Sequence, residues 1–316
     1  MLQPSTLLRK LSKRPITSFS LKTASSSTPA SAQMPQVPST EAPWREAFAS
    51  HVSSMKSPTF TLSTLHPVPS SSQPPSRSIP ALPRARTCIY RGLFASLPVN
   101  SHNKAPLNPP TWESDLPTFT TDARMEKTGD LFDAAGEMSP GQTGGGGPVE
   151  AVFWVEESGT QWRVRGRGWV LGPDVEGDEG LRTRQAILAR MRRRDPSTAA
   201  REKEEEWSWS GEITAHFGNL SPGMRGSFKS PPPGTPIAIP PGEGEGVGQE
   251  VEDLEDEIAR RNFRVVVIVP DEVDRVEYKD PKKPRRWVYY YRGRSWQAKE
   301  PGGSVEGEWE VVEVWP

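Results

Sequence analysis

The chain has 316 residues, and its 39 basic and 40 acidic side chains leave a formal net charge of −1, which does not support a general role in binding polyanions. Its one cysteine, Cys88, excludes an internal disulfide framework, its four scattered histidines give no zinc-ligand spacing, and no apolar run approaches the roughly 20 residues that span a bilayer. Only 34% of the residues are hydrophobic, and 34 prolines and 27 glycines dilute them, so we expect a concentrated core with polar insertions around it.

Residues 1–40 are basic, rich in Ser and Thr, and free of acidic side chains. Leu7, Leu8 and Leu11 share one helical face, with basic residues beside them. This composition is typical of a mitochondrial transit peptide, so the segment is predicted to be disordered and to direct the protein to mitochondria. The alternative is an ordinary disordered tail on a cytoplasmic protein, and translation from Met34 would remove most of the segment.

Residues 41–316 are predicted to form one domain. Helical spacing of apolar residues predicts a helix over residues 42–55. The β-rich residues 86–97 predict a buried strand, and extended structure resumes over residues 118–121. Residues 124–137 suit a helix, with Thr121 or Asp122 as its cap.

The second half of the chain adds a β-hairpin over residues 149–157 and 160–172, which turns at Ser158 and Gly159. Residues 144–147, all glycine, predict a flexible break before it, and the highly charged residues 180–209 predict helix. Residues 263–270 form the clearest strand. Further strands are predicted for three later segments: VDRVEY, RRWVYYY and EWEVVEVWP.

The predicted elements amount to seven or eight strands and three or four helices, without regular alternation. This order argues against a doubly wound sheet and favours antiparallel strands that close into a barrel, a mainly β fold of the α+β class. Low-complexity insertions are predicted near residues 67–83, 138–148, 173–206 and 231–258.

Three short strings carry candidate ligand-binding residues. In RTCIYRG, Arg86 and Arg91 stand five residues apart, so on a regular strand they point to opposite faces. In FTTDARMEK, Lys127 and a nearby helix N-terminus favour an anion. In TQWRVRG, alternation places Gln161 and three arginines of the longer strand on one face. Taken alone, each string also fits a structural interpretation without a ligand. These interpretations are, in order, exposed strand-end arginines, a capped surface helix, and a charged edge strand.

Together and in this order, the three strings resemble the flavin-binding segments of the pyridoxamine 5'-phosphate oxidase-like FMN-binding proteins. The similarity is greatest to a fungal and bacterial side branch of uncertain activity. The resemblance implies a split β-barrel and a homodimer with FMN at the subunit interface. The residues that it implies for FMN binding are Arg86, Arg91, Thr120, Thr121, Arg124, Lys127, Gln161 and Arg286.

Within that set, the resemblance assigns Lys127 to the FMN phosphate and Gln161 to the flavin ring. The family usually has Arg just before this lysine, but this chain has Glu126, which would repel phosphate. Arg124 is the candidate replacement for the missing charge. The family's late tryptophan is not evident, and Tyr278 is the nearest aromatic residue.

The segments that bind the vitamin B6 substrate in the family are mostly changed. Where the oxidases have Tyr, Arg and Ser, this chain has His216, Leu220 and Met224, and Lys-Lys-Pro replaces a later Arg-x-His. Arg91 and Arg225 remain as candidate contacts for a small anionic substrate. No nucleic acid or membrane partner is expected.

The resemblance implies an FMN-dependent oxidoreductase that passes a hydride from its substrate to flavin N5, and the sequence names no catalytic side chain. The alternative is a non-catalytic FMN-binding module that has lost its substrate contacts. A third possibility is a scaffold that has lost the flavin too.

Overall fold

The computed structural model describes residues 40–68, 81–136, 142–194, 206–294 and 296–316. The predicted transit segment therefore lies outside the described residues, apart from Thr40. No described helix is long and apolar enough to cross a membrane.

The described strands are antiparallel, and nine of them form one large sheet. Their bounds are β1 Thr59–Pro67, β2 Ala81–Leu93, β3 Trp112–Ser114, β4 Pro117–Asp122, β5 Gly144–Val155, β6 Thr160–Leu171, β7 Met191–Arg193, β8 Phe263–Glu277, β9 Arg285–Tyr291, β10 Ser304–Glu306 and β11 Trp309–Val314. Strands β3 and β7 pair separately.

Six α-helices and one 3₁₀ helix are described in addition to these strands. The helices are α1 Arg45–Ser54, α2 Glu126–Asp133, α3 Leu181–Leu188, α4 Trp209–Gly218, α5 Pro222–Gly226 and α6 Glu257–Asn262, and the 3₁₀ helix is Ser227–Lys229.

The large sheet closes on itself because β8 pairs with both β4 and β6, which completes the ring β8-β4-β2-β1-β5-β6. One edge of β8 is divided: Phe263–Val267 pair with β4, and Glu272–Glu277 pair with β9. Beyond this division, β9, β11 and β10 extend the sheet outside the ring. The predicted mainly β split barrel is confirmed.

Aromatic side chains fill the barrel and attach α1 to it. Phe48 of α1 is fully buried and makes edge-to-face contacts with Phe153, Trp162 and Tyr90. Such ring pairs contribute about 0.5–1.5 kcal/mol beyond the apolar area they bury. A second cluster of buried residues, which includes Phe217 and Phe263, packs α4 against the outer side of β8.

Two local predictions near α2 are wrong. The helix begins at Glu126, its N-cap residue is Met125, and no side chain caps it, because the Asp122 carboxylate is bound by Arg124 instead. Residues 144–147 are buried at the start of β5 rather than a flexible break. A Cβ on Gly147 would lie 2.7 Å from the Leu131 carbonyl oxygen, so the glycines let α2 approach the strand closely.

The prediction of continuous helix over residues 180–209 is also wrong within the described residues. Helix α3 ends at Leu188, and the chain then forms β7. Arg192 of β7 is buried and forms ion pairs with Glu113 and Asp115, so this residue lies in a strand and not on a solvated helix.

Candidate functional site

A cavity of about 490 Å³ lies where β2, β4 and the first turn of α2 face α5 and the 3₁₀ helix. Its volume falls within the range of small-molecule sites. Five of the eight predicted flavin-binding residues line it: Arg91, Thr120, Thr121, Arg124 and Lys127.

Lys127 is the buried cation of this cavity. Its side chain reaches back from α2, and its Nζ donates to Thr121 Oγ1 at 3.1 Å and lies 2.6 Å from Met125 Sδ. No acidic side chain in the described residues forms an ion pair with it. Burial lowers the pKa of Lys127, although Asp122 and Asp130 lie near enough to offset part of this effect. A desolvated ammonium without an ion pair is costly and favours an anionic ligand.

Arg91 supplies a second cation from the end of β2. Its Nε donates a long hydrogen bond to Thr120 Oγ1 at 3.4 Å, and its Nη2 lies 4.0 Å from Met224 Sδ. Burial lowers its pKa, and no carboxylate among the described residues pairs with it. The cavity therefore presents two positive charges that no described side chain neutralises.

Arg124 also lines the cavity, but its charge is already offset. Its guanidinium binds Asp122 through two nitrogens at 3.0 and 2.8 Å, and Nη1 binds Glu245 at 3.0 Å. The hydrogen bond to Asp122 is the main reason that its pKa is raised. The structure thus does not support the prediction that Arg124 replaces the missing phosphate charge. Arg124 instead links Glu245 to Asp122 at the end of β4.

Arg86 does not line the cavity and lies behind it. Its guanidinium donates to Thr64 Oγ1 at 2.6 Å and lies 3.3 Å from Asp130 Oδ2. The buried Asp130 carboxylate also bonds Thr64 and His66. Since Asp130 follows Lys127 by less than one helical turn, this cluster fixes α2 against β1 and thereby positions the lysine.

Gln161 and Arg286 lie elsewhere, on the outer face of the sheet. Trp154, Gln161, Val276 and Arg286 stand directly opposite one another on four neighbouring strands, so they share one face. Trp154 is 51% exposed. Neither Gln161 nor Arg286 lines the cavity within one chain.

A single buried carboxylate holds Arg286 on this face. Asp274 accepts hydrogen bonds from Arg286 Nε at 3.1 Å and Nη2 at 2.7 Å, and Arg163 also donates to it. The hydrogen bond to Asp274 is the main reason that the pKa of Arg286 is raised.

Arg225, predicted to contact an anionic substrate, is buried and turned away from the cavity. Its guanidinium donates to the carbonyl oxygens of Val251 and Leu220, both at 2.7 Å, and of Gly218 at 3.3 Å. Arg225 therefore does not line the cavity, and its donors hold the α4–α5 connection.

Sequence reasoning missed the wall opposite the cations. That wall is formed mainly by apolar side chains from residues 220–233: Leu220, Met224, Phe228, Pro231 and Pro233. The string LSPGMRGSF (residues 220–228), followed by PPPG, forms most of this wall, and its apolar residues are the signal that could have identified it. Within the described residues, no group of three or more potential ligands is placed to hold a metal ion.

The residues of the cavity fit FMN. A phosphate monoester carries about −1.5 to −2 charges at neutral pH and needs cations or fixed N–H donors. Lys127 and Arg91 supply two cations, Thr120 and Thr121 add hydroxyls, and the uncapped first turn of α2 adds backbone N–H groups.

The comparisons with known proteins agree with this fit. Residues 41–172 match the family model described as pyridoxamine 5'-phosphate oxidase, FMN-binding domain. This match confirms the family resemblance that the three strings indicate. No curated protein matches the chain in sequence.

A solved structure of low sequence identity shares the fold. A pyridoxamine 5'-phosphate oxidase-related, FMN-binding protein from Nostoc punctiforme is 18% identical and superposes with a TM-score of 0.52, covering 88% of this chain and 100% of its own. PhzG from Burkholderia lata, solved with tetrahydrophenazine-1-carboxylic acid, is 12% identical with a TM-score of 0.39, and the match covers 86% of this chain and 88% of that one.

Proposed function

We propose that the protein binds FMN in this cavity and is an FMN-dependent oxidoreductase of the pyridoxamine 5'-phosphate oxidase-like type. One observation carries the proposal. Lys127 and Arg91 face the same cavity without an acidic partner in the described residues, in a chain that matches an FMN-binding domain. A dianionic phosphate would neutralise both positive charges.

The chain's own residues bind and orient the cofactor. Lys127 and Arg91 neutralise the phosphate, and the Arg86–Asp130 cluster holds α2 so that the lysine faces the cavity. Phe228 and Met224 exclude water from the opposite side. When bound, FMN would accept a hydride from the substrate.

We further propose that the protein is a homodimer and that a second copy completes the flavin site. Gln161 and Arg286 face away from their own chain's cavity, beside the exposed Trp154. A large exposed aromatic ring beside an arginine that is held in place is typical of an interface. In the dimer, these two residues would reach the flavin of the partner.

The test is an absorbance spectrum of the purified protein, followed by titration of stripped protein with FMN. We expect flavin bands near about 375 and 450 nm and one FMN per chain. A colourless protein whose melting temperature FMN does not change would contradict the proposal.

A non-catalytic FMN-binding module is the second candidate, and the loss of the family's substrate contacts favours it. Arg225 is used internally, and Leu220 and Met224 present apolar surface. Oxygen consumption by the loaded protein separates the candidates. Turnover with any B6 vitamer or other reductant supports the enzyme, whereas a yellow protein inert to all of them supports the module.

Import into mitochondria remains a proposal based on residues 1–40, which are basic and free of acidic side chains. A fluorescent fusion that starts at Met1 is expected in mitochondria, and one that starts at Met34 is expected in the cytoplasm. Identical distribution of both fusions would contradict import through this segment.

A further inference from the structure

The wall of the cavity opposite Lys127 is built to contact apolar surface. Leu220 is 2% and Phe228 7% exposed, so both are fixed by packing. Met224 and two prolines that follow the 3₁₀ helix complete the wall. The Ser227 hydroxyl donates to the Met224 carbonyl oxygen, so its proton is not available to a ligand.

The unpaired positive charges that one chain contributes to the cavity match the charge of one phosphate. Lys127 and Arg91 have no acidic partner in the described residues, whereas Asp122 and Glu245 neutralise Arg124. The FMN phosphate, with about two negative charges, uses the two available cations. A second phosphate in the same cavity would have to lose its water without a compensating charge, which is costly.

The basic side chains of α4 and α5, His216 and Arg225, do not supply a further charge to the cavity. Arg225 points into the α4–α5 connection and donates to carbonyl oxygens. His216 is fully buried, with Nδ1 at 3.0 Å from the Glu212 carbonyl oxygen and Nε2 at 3.4 Å from Thr118 Oγ1. Neither residue lines the cavity.

We propose that the substrate of the FMN site is an apolar molecule without a phosphate group, bound against the wall formed by Leu220, Met224 and Phe228. This inference rests on the proposed function and specifies its substrate class. It replaces the small anionic substrate expected from the sequence, because Arg225 is not available and Arg91 is needed for the cofactor.

The test compares two ligands that differ only in the phosphate. Protein loaded with FMN, from which free FMN has been removed, is titrated with 2-naphthol and with 2-naphthyl phosphate, and the flavin band near about 450 nm is monitored. We expect 2-naphthol to bind at least about tenfold more tightly, because the phosphate loses its hydration without gaining a cation. Equal binding, or tighter binding of the phosphate, overturns the inference.

A matched pair of variants locates the effect. Met224→Arg adds a cation to the wall and is expected to raise the affinity for 2-naphthyl phosphate about tenfold or more. Gly223→Arg adds the same charge one residue away, at an exposed position with open space around it, and is expected to change neither affinity. If both variants act alike, the ligands do not bind at this wall and the inference fails.

The outcomes also separate this inference from the proposed function. If stripped protein does not bind FMN, the proposed function fails and the inference falls with it. If FMN binds and the phosphate ligand is preferred, the proposed function stands and only the substrate class is wrong.

Discussion

Replacement of Lys127 by methionine tests whether its buried charge serves a ligand or the fold. The Lys127 ammonium is desolvated and its only described polar contacts are the Thr121 hydroxyl and the Met125 sulfur. Methionine has a similar length and carries no charge. The change therefore removes a charge that, without ligand, costs folding free energy.

The expected effects on affinity and stability have opposite signs. A hydrogen bond to a charged group contributes about 1.5–3 kcal/mol, so Lys127→Met should weaken FMN binding roughly 10- to 150-fold. The free energy of unfolding of the stripped protein should stay within about 1 kcal/mol of wild type or increase, because functional charges are commonly bought at the expense of stability.

Arg86→Met is the matched control, because Arg86 is paired. It leaves the buried Asp130 carboxylate with Thr64 and His66 alone. Breaking such a pair costs about 3 kcal/mol, which lowers the melting temperature by about 6–12 °C. FMN titration gives the affinity for FMN, and thermal melts of the stripped proteins give the melting temperature. Equal destabilisation by the two variants, or an unchanged FMN affinity in Lys127→Met, would refute the reasoning.

Four further predictions follow from particular contacts. Because burial holds the pKa of Lys127 below 10.5, the folded stripped protein loses this proton before the unfolded chain does. The contribution of this group to the free energy of unfolding therefore rises as the pH passes upward through the folded pKa, whereas the affinity for FMN falls. The Lys127→Arg variant should not show this fall in FMN affinity. Identical pH profiles of FMN affinity for the wild type and Lys127→Arg would contradict the prediction. Mixing Lys127→Met chains with Gln161→Ala chains should restore one FMN site per hybrid dimer, and no recovery after subunit exchange would speak against shared sites. Arg225→Ala should lower the melting temperature with FMN affinity unchanged, because its donors serve carbonyl oxygens; a selective loss of affinity would reverse this assignment. The Cβ of a Gly166→Ala variant would lie 2.0 Å from the Val269 carbonyl oxygen. The substitution should lower the free energy of unfolding by about 1–3 kcal/mol in a denaturant melt. An unchanged free energy of unfolding would show that β6 and β8 can move apart there without cost.

The barrel and its hairpin were predictable because both depend on local patterns. Alternation along residues 160–171 places Trp162 and Val164 in the core and Gln161 outside it, as the structure shows. The cavity residues of β4 and α2 were also predictable, since Thr121 and Lys127 lie close in sequence and their spacing carries the resemblance.

The partners of the arginines were not predictable, because they lie far away in sequence. Arg124 is neutralised in part by Glu245, which is 121 residues later, and Arg225 is bound by the Val251 carbonyl oxygen. Sequence identifies a positive charge but not whether it is already paired. For the same reason, the glycines at residues 144–147 predict a flexible break, although the close approach of α2 requires glycine there.

The comparison of FMN with riboflavin tests the central claim most directly, since riboflavin has the same ring and ribityl chain without the phosphate. Fluorescence titration of the stripped wild-type protein should give an affinity for FMN at least about tenfold higher than for riboflavin, in keeping with charge-assisted bonds to Lys127 and Arg91. Equal affinity for the two flavins, or no binding of either, would contradict the account.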